Sequence, residues 1–352
     1  MAPPDMPAGG YVSDYLAFWG IWLAIAAGAI VFFRATRGRR GGLRLVAGNL
    51  LILASLLWTA VVLAETYLRY VYDQTDSYGL MLTNRAWFTR HVKANSEGFR
   101  DAEFTKGPRP GLTRIACVGD SFTMGWGVRD PADAFPQRIG AALEKRFPGR
   151  YEARNYGLPG FTTGNEARQL ADLVARHEVD QVVLGYCLND TDDLLPPGRG
   201  FGREMLRKPF WSPPQASMLA DFLWFRLRMA DDPRVKSFFD WELEAYTDPR
   251  IWSVQCARFR DIAETCRRAS VRLDVVIFPF FTGWGAGYRF GPAHEALAKA
   301  WKDAGIDVID LSDAYRGIPG EDLMVNRYDA HPNERAHEIA ARVILDRVFD
   351  IR

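Results

Sequence analysis

Four short stretches of this chain carry side chains able to do chemistry, and three of them lie at the ends of runs of strand character. Ser121 stands in Gly119-Asp120-Ser121-Phe122, directly after RIACVG at 114–119. A serine hydroxyl is a poor nucleophile until a base takes its proton, and on the turn leaving a strand it is held at the strand's open end. The plainer alternative is an ordinary turn, since Gly, Asp and Ser are all common turn residues. Asn155-Tyr156-Gly157-Leu158-Pro159-Gly160 follows a second run, YEARNYG at 151–157. A glycine such as Gly160 lets a backbone N–H approach a ligand closely, or simply completes a Pro-Gly turn. Leu188-Asn189-Asp190 follows QVVLGYC at 181–187. The Asn189 amide can donate to a developing oxyanion, where losing one donor raises the barrier by about 2.7–4 kcal/mol, or it can end the strand in an Asx turn.

The fourth stretch, Asp329-Ala330-His331-Pro332-Asn333, precedes a helical pattern at about 334–349. Histidine suits the role of base because its unperturbed pKa is about 6.5. Asp329, two residues earlier, can fix the imidazole tautomer and stabilise the imidazolium that forms. That help matters here, because a helix N-terminus disfavours a nearby cation. The alternative is that Asp329 and Asn333 only cap or lead into the helix. The other histidines, His91, His177, His294 and His337, have no adjacent acid in a strand-end or loop setting.

These residues need a scaffold that brings strand ends together. Strand-like runs at 114–119, 151–157, 181–187, 273–280 and 307–311 alternate with helical patterns at 133–147, 165–177, 250–269, 293–304 and 334–349. Repeated βα units predict a three-layer α/β/α fold with a five-stranded parallel sheet, whose ligand site lies at the carboxyl ends of the strands. An aromatic-rich insertion at about 196–248 includes FWSPPQASMLADFLWFRLRM (210–229), with Trp211, Phe222, Trp224 and Phe225. It reads as a hydrophobic helix pair packed on the side of the domain, the alternative being a lid, an acyl-binding wall or a membrane contact. Asp190, Asp192 and Asp193 read as a solvated acidic loop. No phosphate loop, dinucleotide fingerprint or metal-type cysteine spacing occurs, so no cofactor and no metal is expected.

The formal net charge of +1 over 352 residues leaves no basic field to bind nucleic acid. The amino-terminal part differs from the rest. Residues 15–33 and 45–64 are uncharged and apolar, each long enough to cross a hydrocarbon core of about 30 Å. Between them lie Arg34, Arg37, Arg39, Arg40 and Arg44 with no acid, whereas the outer flanks carry Asp5, Asp14 and Glu65. Positive charge in a short loop marks the cytoplasmic side. The expectation is a helical hairpin (1–68) in the cytoplasmic (inner) membrane, a linker and lead-in segment (69–112), and an extracytoplasmic domain (113–352). Of the four cysteines, Cys256 and Cys266 fall on one expected helix about 15 Å apart, too far to bridge. Cys117 and Cys187 read as buried thiols.

Taken in order, GDSFTMGWG (119–127), NYGLPGFTT (155–163), GYCLND (185–190) and DAHPN (329–333) resemble the sequence blocks of the SGNH, or GDSL-type, hydrolase superfamily. The resemblance covers roughly residues 90–350. It implies a flavodoxin-like SGNH fold with Ser121 as nucleophile, His331 as base and then acid, and Asp329 orienting it. The implied oxyanion hole comprises the Ser121 and Gly160 N–H groups and the Asn189 side chain. Three positions depart from the pattern. Phe122 replaces the leucine of GDSL, Cys187 the glycine of G-x-N-D, and the acid–histidine spacing is D-x-H instead of D-x-x-H. NSEGFRD (95–101) also looks like a stretch found ahead of this domain in bacterial membrane-associated members. The expected activity is hydrolysis of an ester-linked acyl group, such as an O-acetyl of an envelope polysaccharide. The alternatives are an O-acyltransferase working with a membrane-bound acyl-transfer partner, and a catalytically silent envelope binding module.

Overall fold

A computed structural model describes residues 10–39, 41–107, 110–197, 199 and 217–351. Trp211 and the start of the aromatic insertion lie outside the described residues.

The two apolar runs form α1 (Gly10–Ala35) and α2 (Gly42–Tyr70), both long and apolar enough to cross a membrane, with a hydropathy of 2.2 in each. They are joined side by side by hydrogen bonds from Trp22 Nε1 to Thr59 Oγ1 (2.8 Å) and from Trp58 Nε1 to the Phe18 carbonyl (3.1 Å). The second helix continues past the expected boundary at 64. Glu65 does not end it, because its carboxylate is buried and fully used. It accepts from Arg69 Nε (2.6 Å), Ser217 Oγ (2.8 Å) and the N–H groups of Met218 and Leu219 (both 2.9 Å).

Residues 71–105, part of the segment read as a linker and lead-in, pack against the domain. They hold α3 (Leu82–His91) and bury Trp87 and Arg100. Pro110 and Gly111 form the turn that enters the sheet.

The α/β domain then follows the expected alternation: β1 (Thr113–Gly119), α4 (Ser121–Met124), α5 (Phe135–Arg146), β2 (Tyr151–Asn155), α6 (Thr163–Ala175) and β3 (Gln181–Cys187). The described part of the insertion forms α7 (Met218–Asp231) and α8 (Pro233–Ala245). After it come α9 (Pro249–Arg268), β4 (Arg272–Phe278), α10 (Gly291–Asp303), β5 (Val308–Asp310) and α11 (Ser312–Tyr315). A hairpin of β6 (Met324–Asn326) and β7 (Asp329–Pro332), absent from the sequence reading, precedes α12 (Glu334–Phe349). The insertion does form the expected helix pair. Its first helix leans on α2 and α3, through Phe222 against Tyr72 and Phe225 against Met81, and Phe238 and Phe239 of the second meet Phe280.

Five strands pair in parallel in the order β2-β1-β3-β4-β5. Central β3 is buried along its whole length, as expected of a strand covered on both faces. The crossovers put α5 and α12 together on one face and α6, α9 and α10 on the other. The direction of winding reverses between β1 and β3, the place where such sheets open a crevice at their carboxyl ends. Ser121 follows β1 and Asn189 follows β3. All four cysteines are free thiols.

Candidate active site

The turn that presents Ser121 is shaped by what surrounds it. Asp120 caps it, its carboxylate accepting the Phe122 N–H at 2.8 Å. Glycines allow neighbouring chain segments to close in. A Cβ on Gly157 would lie 2.2 Å from the Met124 nitrogen, and one on Gly185 would lie 2.5 Å from Thr123 Oγ1. The loop after β2 is thereby seated on the serine turn, and the Leu158 N–H donates to the Gly119 carbonyl (3.1 Å). On the other side, buried Arg100 donates to the carbonyls of Gly125 and Val128 (both 2.6 Å). Its neighbour Asp101 accepts the Asn155 N–H (2.7 Å). The NSEGFRD segment therefore fastens the loops that follow β1 and β2.

His331 arrives from the far end of the chain. On a strand, residues i and i+2 project to the same face, so the D-x-H spacing on β7 sets Asp329 and His331 side by side. Nδ1 of His331 lies 2.5 Å from Asp329 Oδ1, and Nε2 lies 2.9 Å from Ser121 Oγ. An ionised carboxylate only accepts, so the proton sits on Nδ1 and Nε2 is free to accept from the serine. The expected departure from D-x-x-H is thus met by a strand in place of a looser loop.

Asp329 is fully buried and each oxygen is occupied. Besides the imidazole, Oδ1 accepts the His331 backbone N–H (3.2 Å). Oδ2 accepts from Thr75 Oγ1 and from Trp126 Nε1 (3.1 Å). The Trp126 indole also stacks on the His331 ring, 5.3 Å away and tilted by 23°. Neither Thr75 nor Trp126 was singled out from sequence. Trp126 lies inside the GDSFTMGWG block, and the two aromatic contacts of a GWG tripeptide leave no local periodicity. Thr75 is 254 residues from its partner.

The remaining expected residues are placed with less contact. Asn189 is half-buried on the turn after β3, with its side chain near Asp120. Gly160 sits exposed on the rim in the left-handed region, at φ +72°. Beneath them lies a set of buried acids. Burial pushes the Asp120 carboxyl up to about 6, against the pull of the Phe122 N–H, His331, Ser121 and Asn189. Burial likewise raises Glu166 and Asp190, each further by the other acids. Asp190 is thus no solvated loop acid. Its Oδ2 accepts the Cys187 N–H (2.9 Å) and closes the turn that carries Asn189. Two other histidines find acids in space, His294 with Asp310 (2.9 Å) and His91 with Asp73 (2.8 Å); the far nitrogen of His294 meets the Tyr288 hydroxyl (3.3 Å), and neither ring meets a serine hydroxyl among the described residues. Among the described residues no group of side chains could hold a metal ion.

Residues 117–339, well over half of the chain, match the GDSL-like lipase/acylhydrolase family. No curated protein sequence matches. Solved structures that resemble the chain include the psychrotrophic esterase EstA from Pseudoalteromonas sp., at 13% identity and a TM-score of 0.42, covering 68% of this chain and 97% of that one. The lipase/acylhydrolase from Enterococcus faecalis has 14% identity and a TM-score of 0.41, covering 67% and 95%. A two-domain esterase active on acetylated mannans has 14% identity and a TM-score of 0.41, covering 68% and 50%. The chain belongs to the GDSL-like lipase/acylhydrolase family of SGNH serine hydrolases, which act on ester bonds.

Proposed function

We propose that Ser121 is the nucleophile of an envelope esterase, with His331 as its base and Asp329 as the orienting acid. The hydrogen-bonded line from Asp329 through His331 to Ser121 is the observation that carries this reading. As the serine oxygen attacks the ester carbonyl carbon, Nε2 of His331 takes the hydroxyl proton. The oxyanion is received by the Ser121 and Gly160 N–H groups and the Asn189 amide. Collapse expels the alcohol, which collects the proton from His331, and leaves an acyl-serine. Water then attacks that ester by the same route, releasing the acid and restoring the serine.

The arginine-rich turn between α1 and α2 supports a hairpin with that turn in the cytoplasm, and so a domain on the outer side of the cytoplasmic membrane. Such a location favours O-acetyl groups of envelope glycans as substrates. A sugar hydroxyl in place of water would make the same residues a transferase, fed by a membrane-bound acyl-transfer partner. The test is hydrolysis of an aryl acetate by wild type beside Ser121→Ala, both folded. The expected result is loss of turnover to the uncatalysed background in the variant. Equal rates would leave a binding module as the better account.

A further inference from the structure

We propose that Thr75 is a positioning residue for the Asp329–His331 pair, supplied by a strap that follows directly on the second candidate membrane helix. The proposal rests on the reading of Ser121, His331 and Asp329 as catalytic. The hairpin β6–β7 that carries the acid and the base is only two-stranded, with an irregular register. Two-stranded hairpins are marginal by themselves, so something else must hold the pair to hydrogen-bond tolerance.

Residues 75–77 do so on three sides. Buried Thr75 donates its hydroxyl to Asp329 Oδ2, and its carbonyl accepts from Asn326 Nδ2 (3.1 Å) on β6. The Ser77 N–H donates to the Tyr328 carbonyl at the hairpin turn (3.1 Å). Ser77 Oγ accepts the N–H of Ala330 (2.9 Å), the residue between acid and base. The strap is in turn held to α3. Asp76 accepts the N–H groups of Tyr78 (2.8 Å) and Gly79 (3.1 Å) and the amide of Asn84, whose Oδ1 accepts the Asp76 N–H (2.9 Å). Gly79 lies so close to Trp126 that an added Cβ would be 2.5 Å from the indole. The strap thus fixes Asp329 directly and His331 through the indole stacked on it. Since α2 ends at Tyr70, only a few residues separate the candidate membrane helix from the hydroxyl that donates to Asp329.

The hydroxyl has a chemical consequence as well as a steric one. Thr75 and Trp126 draw carboxylate charge toward Oδ2, away from the imidazole. Removing Thr75 Oγ1 leaves Oδ2 short of a donor and the carboxylate free to turn, so the imidazole is less well aimed at Ser121 Oγ.

The experiment compares full-length wild type, Thr75→Val, Thr75→Ser and Ser121→Ala in detergent. kcat and KM for an aryl acetate are measured, with rates of wild type and the Thr75 variants expressed per site titrated to completion by a fluorophosphonate and those of Ser121→Ala per mole of folded protein. Valine is expected to lower kcat by roughly tenfold to a hundredfold with KM little changed. Serine is expected to restore kcat. Wild-type kcat in the valine variant would overturn the proposal. So would a serine variant as slow as valine, because the methyl group and not the hydroxyl would then matter. Should valine unfold the chain, Thr75→Ala beside Thr75→Ser decides in the same way. A Ser121→Ala protein as active as wild type would instead overturn the catalytic reading beneath, whatever Thr75 does.

Discussion

Replacing Asp329 by asparagine changes hardly any volume but cannot satisfy the donors that converge on this side chain. Four of them point at it: the His331 ring and backbone N–H on Oδ1, Thr75 and Trp126 on Oδ2. An amide has one oxygen and one NH2. If the oxygen faces His331, the NH2 meets the indole N–H of Trp126, which cannot accept. If it faces Thr75 and Trp126, the NH2 donates to Nδ1, and the ring proton moves to Nε2. The imidazole then donates toward Ser121 Oγ instead of accepting from it. Either way the base is held wrongly or in the wrong tautomer, and an exchange of this kind lowers kcat by roughly 10⁴-fold. That corresponds to about 5 kcal/mol of barrier. The assay is steady-state hydrolysis of an aryl acetate by folded Asp329→Asn, with circular dichroism and melting to show that the fold is retained. A kcat within tenfold of wild type would refute the assignment of Asp329 and, with it, the geometric reasoning for D-x-H on a strand.

Two further perturbations test the packing around the site. Gly157→Ala should destabilise the chain by about 3 kcal/mol or more and abolish turnover, because the new methyl would press on the Met124 backbone, which cannot move without dragging Ser121; a denaturant melt and the same ester assay check it, and a variant of wild-type stability would be the contrary result. His337 is fully buried, its Nδ1 accepts the Phe135 N–H (3.2 Å), and burial lowers its pKa to about 3, helped by Arg138 and Arg100. Below about 6.5 the unfolded chain takes up a proton that the folded chain refuses, so this group removes stability as pH falls from about 6.5 toward 3. His337→Asn keeps an acceptor near Phe135 and loses that liability. Relative to wild type it should therefore gain about 2 kcal/mol between pH 7 and pH 5. A stability difference independent of pH would contradict this.

The sheet was legible because β3 and its neighbours are short apolar runs separated by amphipathic helices, and periodicity reports burial directly. Strand ends were less so. YEARNYG stops pairing at Asn155, whose Oδ1 takes the Gly157 N–H (2.9 Å) and bends the chain away. The serine, histidine and aspartate were readable as types at spacings. That D-x-H forms a strand was not, since the short hairpin is held by contacts from residues 75–77 and not by its own propensity. α2 runs past its apolar span for a related reason. A charge normally closes an apolar span, but Glu65 is consumed in capping α7 from 152 residues away. Residues 71–105 looked like a lead-in because their partners, the loops after β1 and β2 and the β6–β7 hairpin, are distant in sequence. Long-range hydrogen bonds leave no mark in a local window.

The most direct test of Ser121 as an acyl-carrying nucleophile is to quench the protein with acid during turnover of an aryl acetate and weigh its peptides. The account predicts an acetyl group on the peptide that holds Ser121, present in wild type and accumulating when deacylation is slow, and absent from Ser121→Ala. Turnover with that peptide unmodified, or an acetyl group of equal yield in the alanine variant, would contradict it.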